Sequence, residues 1–315
     1  MAGSPYLRWL ADGLSPPPAA EPAGACRRDA VLGYAVGYGV PEISPFVRSL
    51  RSVFVGRVIL VVSREPELLG WLQLHDVEAI IADDHPRDWK PHPVVARFAA
   101  YAQILQGDPL RNVVATDVRD VVLQSDPFGE EPGELEFFVE AEHLRLSDHA
   151  FNLKHLTALV GVAVARRLDD RVCVCVGVVA CSGAALARFC RTMLMLCAIP
   201  RSGAGGAFGA DQAACNLIAH LDLIGREIRP NYGRVATIGL TPPEQLRLED
   251  DLIRNPDGSV SAIVHQYDRI PALAAHVRDR WGDKAGPGRG ERRKSLRQRA
   301  ATLGSSVTRR LPELR

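Results

Sequence analysis

The sequence lacks the features of membrane-spanning and secreted proteins. No stretch of its 315 residues approaches the ~20 uninterrupted apolar residues that a transmembrane helix needs. Residues 1–24 do not carry the basic start and apolar segment that characterise a secretory signal. We therefore expect a cytoplasmic protein that does not cross a membrane.

The sequence also lacks the cysteine patterns of disulfide frameworks and zinc fingers. Its seven cysteines are odd in number, lie mostly in apolar runs and form no Cys-x-x-Cys pair with histidines at zinc-finger spacing. Such cysteines are typical of reduced core residues. A redox pair of Cys173 and Cys175 is the less favoured interpretation, because alternate residues of a strand point to opposite faces.

A strong net charge is absent, since 38 basic and 37 acidic side chains leave a formal charge of +1. Basic character is confined to residues 282–315, which hold ten Lys and Arg against three Asp and Glu. This tail could contact an anionic membrane surface, which would make the protein peripheral to a membrane, or be a solvated, disordered terminus. We expect no specific nucleic-acid partner.

Strand-like and helix-like segments alternate through the rest of the chain. The strand-like segments are 30–36, 57–63, 79–81, 113–115, 135–139, 172–180 and 260–264, and the helix-like segments are 43–53, 66–75, 93–105, 184–198, 211–221 and 271–280. This alternation predicts an α/β fold with a mostly parallel central sheet flanked by helices. We expect a single domain over residues 29–281, a flexible lead-in over residues 1–28 and a basic tail over residues 282–315.

The segment 113–115 runs directly into the acidic sequence Thr116-Asp117-Val118-Arg119-Asp120. In open α/β sheets, ligands bind outside the carboxyl ends of the strands. Asp117 and Asp120 offer the hard oxygen atoms that Mg²⁺ or Mn²⁺ prefers when a diphosphate is bound. A solvated turn with Arg119 as a local ion-pair partner is the alternative. A second polar cluster follows a later strand-like segment, at His265.

An apolar strand that ends in Asp is also found in haloacid-dehalogenase-type phosphatases. Their Asp-x-Asp motif supplies a nucleophile and, two residues later, an acid. Here the second position is Arg119, which cannot act as an acid. A phosphatase is therefore the weaker hypothesis.

Taken together, the motifs resemble those of the GT-A class of nucleotide-sugar glycosyltransferases. The likeness spans about Ala30 to Pro271. It is closest to members with an Asp-x-Arg-Asp motif and a following Gln-x-Asp-Pro-Phe, and looser to glycogenin-like transferases. Asp117 to Asp120 and Gln124 to Phe128 match these motifs, and Asp211 to Asn216 match the family's Asp-Gln-x-x-x-Asn helix start. The resemblance implies a GT-A-like single domain that moves a sugar from a nucleotide-diphosphate donor, a UDP-sugar by default, to a saccharide or other hydroxyl acceptor.

The resemblance also implies roles for individual residues. Asp117, Asp120 and His265 correspond to the ligands of Mn²⁺, or Mg²⁺. The residues placed against the nucleotide-sugar are Ala35, Val36, Gly37, Tyr38, Arg97, Thr116 and Asp117. Asp211 and Gln212 are the implied catalytic residues, and their arrangement favours retention of configuration.

One position departs from the family's pattern. Related sequences carry Asn two residues before the glycine of Asn-x-Gly-Val, whereas this sequence has Cys175 before Gly177. Because a thiol is a poor partner for sugar hydroxyls, a catalytically weakened nucleotide-sugar-binding or scaffold protein is a second hypothesis.

Three further segments are candidates for the acceptor side and for closure. Glu140 and Glu142 contact the acceptor or are surface charges. We expect residues 151–164 to pack over the site and residues 203–209 to form a mobile loop that closes on the donor.

Overall fold

The computed structural model describes residues 29–82, 92–107, 110–197 and 208–283. The predicted lead-in, all but two residues of the basic tail and residues 203–207 of the predicted loop lie outside these ranges. Within them, no helix combines the length and the apolar character that crossing a bilayer requires.

Seven strands form the central sheet. They are β1 (Ala30–Ala35), β2 (Arg57–Val62), β3 (Glu78–Ile81), β4 (Asn112–Thr116), β6 (Leu135–Val139), β7 (Val174–Ser182) and β8 (Glu227–Arg229). Their order is β3-β2-β1-β4-β7-β6-β8. All pairs are parallel except those that β7 makes with β4 and β6. The predicted α/β fold with a mostly parallel sheet is confirmed. The strand predicted over residues 172–180 is β7, and its antiparallel direction was not predicted.

Eight α-helices are described, and the larger ones cover both faces of the sheet. They are α1 (Val40–Val53), α2 (Pro66–Leu74), α3 (Pro93–Gly107), α4 (Ala150–Val160), α5 (Val162–Ala165), α6 (Gly183–Cys197), α7 (Ala210–Leu221) and α8 (Pro271–Trp281). Helices α3, α6 and α7 pack on one face and α1 and α2 on the other. Strand β2 serves both cores, because Ile59 and Val61 point to the first face and Leu60 and Val62 to the second.

Two predicted boundaries were wrong by about three residues. Helix α1 begins at Val40 rather than residue 43, because the Glu42 side chain accepts a hydrogen bond from the Gly39 N–H at 3.0 Å. The last strand begins at Ile263 rather than residue 260, because residues 255–259 form a turn in which the Asn255 N–H donates to the Ser259 carbonyl.

A second, three-stranded sheet brings the late histidine to the acidic loop. Its strands are β5 (Val121–Leu123), β9 (Val235–Thr237) and β12 (Ile263–His265), in the order β5-β12-β9. Strand β12 runs antiparallel to β5, with His265 opposite Val121. His265 therefore lies beside the chain at Asp120. Strands β10 (Arg247–Glu249) and β11 (Leu252–Arg254) form a separate hairpin.

A buried carboxylate connects strand β6 to the segments that follow it in the fold. Glu136 is 1% exposed and accepts hydrogen bonds from Arg229 Nη2 at 2.8 Å and Arg234 Nε at 3.3 Å. The Arg234 side chain is itself buried. Glu136 therefore supplies the negative charge that compensates a buried guanidinium.

Replacing this carboxylate is expected to destabilise the fold. Glu136→Gln keeps the shape but leaves Arg234 without a full counter-charge, so the free energy of unfolding should fall by about 3 kcal/mol. Urea denaturation with an unchanged m-value measures this loss. The matched control is Glu134→Gln, which removes an exposed pair with Arg188 and should cost less than about 1 kcal/mol. Equal costs for the two variants would contradict the assignment.

Candidate functional site

A cavity of about 870 Å³ lies at the edge of the central sheet where strands β1 and β4 end. Its wall includes the end of β1, the loop after β4, the starts of α3, α4 and α7, the start of β7, Glu140 after β6, and the segment that begins at the end of β12. This is the edge at which ligands bind in open α/β sheets.

The three predicted metal ligands lie together in this wall. One ligand atom from each of Asp117, Asp120 and His265 lies within 4.8 Å of the others. His265 Nε2 is 3.7 Å from Asp117 Oδ2 and 3.9 Å from Asp120 Oδ2. Main-chain bonds hold the loop, since the Asp117 N–H donates to the Gly177 carbonyl and the Gln266 N–H donates to the Asp120 carbonyl, each at 2.7 Å. The donor set of two carboxylates and one imidazole fits Mn²⁺ or Mg²⁺.

The cluster depends on the missing side chain of Gly177. A Cβ atom at this position would lie 2.7 Å from His265 Nε2, closer still to Cε1, and 3.1 Å from Asp117 Oδ2. The imidazole ring therefore occupies the space that the side chain of any other amino acid at position 177 would fill. In the sequence this glycine is marked only by its place in the motif around Cys175, and no local signal predicts its contact with His265.

Cys175 contacts the other side of the same ring. Its Sγ lies 3.7 Å from His265 Nδ1, and both side chains are buried. A partner at Nδ1 orients the imidazole and leaves Nε2 directed at the two carboxylates. The structure thus places Cys175 behind a candidate metal ligand.

Arg97 is buried between two carboxylates of the cavity wall. Its Nη1 donates to Asp117 Oδ1 at 2.5 Å and its Nη2 donates to Asp211 Oδ2 at 2.8 Å. Burial disfavours the charged guanidinium, but the two carboxylates outweigh it and raise the pKa of Arg97. Arg97 Nε is buried without a hydrogen-bond partner among the described residues. Arg97 therefore contributes an unpaired buried N–H to the wall that it lines.

The wall carries more negative than positive charge. Arg97 pairs with Asp117 and Asp211. Counting all charged residues of the wall, five carboxylates face three guanidinium groups: Asp117, Asp120, Glu140, Asp211 and Asp268 against Arg97, Arg119 and Arg269. Burial raises the pKa of Asp120, and the charge of Asp117 adds to this effect. The pKa of Asp117 falls to about 2, because Arg97 and His265 outweigh the effect of burial. A clustered excess of carboxylates is the condition that a bound divalent cation relieves.

The Asp-Gln-x-x-x-Asn segment of α7 is bonded to the edge of β7. Strand β4 ends opposite Val178, so residues 174–176 have no strand neighbour on that edge. The Gln212 side chain accepts from the Val176 N–H at 3.0 Å and donates to the Val174 carbonyl at 2.7 Å. Asn216 accepts from the Val174 N–H at 2.9 Å. Gln212 lines the cavity, but both ends of its amide bind the backbone, so its catalytic role stays a prediction.

The structure divides the predicted nucleotide-sugar contacts into two groups. Val36, Tyr38, Arg97 and Asp117 line the cavity, together with Tyr34.

Three predicted contacts, Ala35, Gly37 and Thr116, are not part of the described cavity wall. Ala35 packs in the core beneath α1, and the Gly37 N–H donates to Ser63 Oγ at 2.9 Å. The Thr116 hydroxyl is buried and donates to the Asp117 carbonyl at 3.0 Å. Alternation of side chains along β1 and β4 turns Ala35 and Thr116 away from the ligand side.

Arg119 and the predicted acceptor-side residues also have defined positions. Arg119 Nη2 pairs with Asp268 Oδ2 at 3.0 Å rather than with the acids on its own loop. Glu140 is buried and lines the cavity, whereas Glu142 accepts from the Asn231 N–H and does not line it. Phe151, at the start of α4, lines the cavity as well.

Adding a methyl group at Gly177 is expected to weaken metal binding. Gly177→Ala forces His265 to move away from Asp117, and Mn²⁺ affinity should fall by at least ~10-fold. Titration of the free Mn²⁺ signal by electron paramagnetic resonance measures the affinity. Gly70→Ala is the control, because a Cβ at this exposed position of α2 meets nothing within 4 Å. Unchanged Mn²⁺ affinity in Gly177→Ala would show that the cluster does not hold the ion.

Metal binding is expected to depend on pH. Burial disfavours a charged His265, but Cys175 and the carboxylates of Asp117 and Asp120 outweigh it and raise the pKa of His265 well above its usual value. The metal-free ring therefore keeps its proton to a higher pH than the ordinary value of about 6.5, and Mn²⁺ must displace it. Mn²⁺ affinity should rise with pH across the neutral range. An affinity that is constant from about pH 6 to about pH 8 contradicts ligation by His265.

No protein-family model matches the chain, and no curated protein matches it either.

Proposed function

We propose that the chain is a metal-dependent glycosyltransferase. In this proposal a nucleotide-diphosphate sugar, a UDP-sugar by default, binds in the 870 Å³ cavity and its sugar passes to a saccharide or other hydroxyl acceptor. The observation that carries the proposal is the cluster of Asp117, Asp120 and His265 at the ligand edge of the sheet. This cluster stands beside the unused donor of Arg97.

The wall of the cavity supplies what a nucleoside diphosphate requires. A divalent cation held by the cluster would neutralise the charge that builds on the departing diphosphate, so that no general acid is needed. Arg97 lines the cavity and its Nε–H has no hydrogen-bond partner among the described residues, a donor that suits a phosphate oxygen. Tyr38 and Val36, after β1, border the space in which we place the nucleoside.

Asp211 is assigned to the sugar side of the cavity. It is 4% exposed and its Oδ2 is bound to Arg97. Burial raises the pKa of Asp211, and Arg97 opposes this effect. A carboxylate held in a fixed ion pair suits the stabilisation of positive charge at the anomeric carbon better than removal of a proton from an acceptor. This role favours retention of configuration.

A nucleotide-sugar-binding protein without turnover is the second candidate. The buried thiol of Cys175 is the observation that favours it, because it stands where an amide would offer hydrogen bonds to a sugar. A phosphatase receives no support, since Arg119 takes the position of the required acid and is paired with Asp268.

Release of UDP from UDP-sugars tests the proposal. With Mn²⁺ the protein should hydrolyse a UDP-sugar slowly in the absence of an acceptor, because water replaces the acceptor. Asp120→Asn should lower this rate by ~100-fold or more, because charge stabilisation worth several kcal/mol is lost. Asp279→Asn, which removes one exposed carboxylate from α8, is the matched control and should leave the rate unchanged.

Calorimetric titration with UDP separates the two candidates. UDP binding that requires Mn²⁺, combined with turnover of a UDP-sugar, supports the transferase. Mn²⁺-dependent binding without turnover supports the binding protein. Equal binding of UDP with and without Mn²⁺ would falsify the assignment of the metal site.

A further inference from the structure

We infer that Glu140, His149 and Cys173 form a second metal site, selective for Zn²⁺, on the same cavity. One ligand atom from each residue lies within 4.8 Å of the others. The inference does not rest on the proposed function, because its residues differ from those of the first cluster and its test measures metal binding alone.

The backbone holds two of the three ligands side by side. Glu140 directly follows β6 and Cys173 directly precedes β7, and the Glu140 N–H donates to the Cys173 carbonyl at 2.8 Å. Cys173 Sγ lies 3.3 Å from Glu140 Oε2. Ligand atoms bound to one tetrahedral Zn²⁺ lie ~3.5 Å apart, given bonds of about 2.0–2.3 Å. The spacing of sulfur and carboxylate is thus already that of a zinc site.

The sulfur atom lies among hydrogen-bond donors. Asn152 Nδ2 donates to Cys173 Sγ at 2.9 Å, and Gln212 Nε2 does so at 3.4 Å. Asn216 Nδ2 lies farther away, at 3.9 Å. Burial and the Glu140 carboxylate raise the pKa of the Cys173 thiol, and the N–H of Gln212 opposes this rise. The same N–H groups would stabilise the thiolate once a metal displaces the thiol proton. A core cysteine that only fills space needs no such donors.

The other two ligands have unused binding capacity. His149 Nε2 is buried and has no hydrogen-bond partner among the described residues. An unpaired buried nitrogen is costly unless a ligand satisfies it. Gln266 Nε2 donates to Glu140 Oε1 at 3.4 Å, which leaves Oε2 directed at the sulfur. A cation at the centre would replace the thiol proton that Cys173 shares with this oxygen.

The donor set distinguishes this site from the first cluster. One thiolate, one imidazole and one carboxylate suit Zn²⁺, whereas two carboxylates and an imidazole suit Mn²⁺ or Mg²⁺. Three protein ligands leave a fourth position, as in zinc sites that bind water or substrate. Glu140 and His149 line the cavity and Cys173 lies behind them. The fourth position therefore faces the cavity and can take an oxygen atom of a bound molecule.

Titration with Co²⁺, a coloured substitute for Zn²⁺, tests the inference. The full-length Asp120→Asn protein is used, because the first cluster is then disabled. We expect a near-ultraviolet thiolate-to-metal band with visible bands of tetrahedral Co²⁺, both removed by an equivalent of Zn²⁺. Adding Cys173→Ser should abolish the near-ultraviolet band, and adding His149→Ala should lower Co²⁺ affinity at least ~10-fold.

Variants and controls make each outcome decisive. His143→Ala removes an exposed histidine from the same segment and should bind Co²⁺ as the parent does. If Cys173→Ser does not fold by circular dichroism, the partly exposed His149 carries the test. Absence of the near-ultraviolet band in the Asp120→Asn protein overturns the inference. Unchanged Co²⁺ affinity in His149→Ala overturns it too.

Discussion

The buried guanidinium of Arg97 joins three of the elements that enclose the cavity. It lies on α3 and bonds Asp117, after β4, and Asp211, at the start of α7. A buried charge of this kind must be compensated, so the positions of loop and helix are tied to that of Arg97. The same pairing leaves Asp117 Oδ2 free to face His265. The geometry of the metal cluster thus depends on an ion pair outside it.

Strand β7 carries the second constraint, because both candidate metal sites are built against it. Its register on β6 shifts between Phe137 and Phe138, and its start extends past the end of β4. The backbone N–H groups of Val174 and Val176 have no neighbouring strand on this edge, and they donate to the side-chain amides of Asn216 and Gln212 on α7 instead. The Gln212 side chain contacts both the edge of β7 and the second candidate metal site, since its amide donates to the Val174 carbonyl and to the sulfur of Cys173. One irregular strand therefore positions Gly177 at the first site and Cys173 at the second.

The parts of the fold that could be predicted are those with strong periodicity. Near-continuous apolar runs such as residues 57–62 identify strands that are buried on both faces, and their alternation with helices predicts a parallel sheet. The three-residue strands β5, β8 and β9 escaped prediction because so short a segment has no period to detect. The direction of β7 escaped as well, because the direction of a strand depends on a long connection whose path no local pattern records.

The sequence by itself determined the composition of the first site. Parallel strands present their carboxyl ends at one edge, so acids after β4 were expected there from local pattern alone. Only the tertiary structure decided the contacts, because they join residues far apart in the chain. His265 reaches Asp120 through the register of β12 on β5, and Arg97 meets Asp211 across 114 positions. The cluster of Glu140, His149 and Cys173 has no sequence spacing that marks it. The pairing of β6 with β7 places Glu140 beside Cys173, and the bridge between Arg145 and Val172 brings the segment of His149 to them.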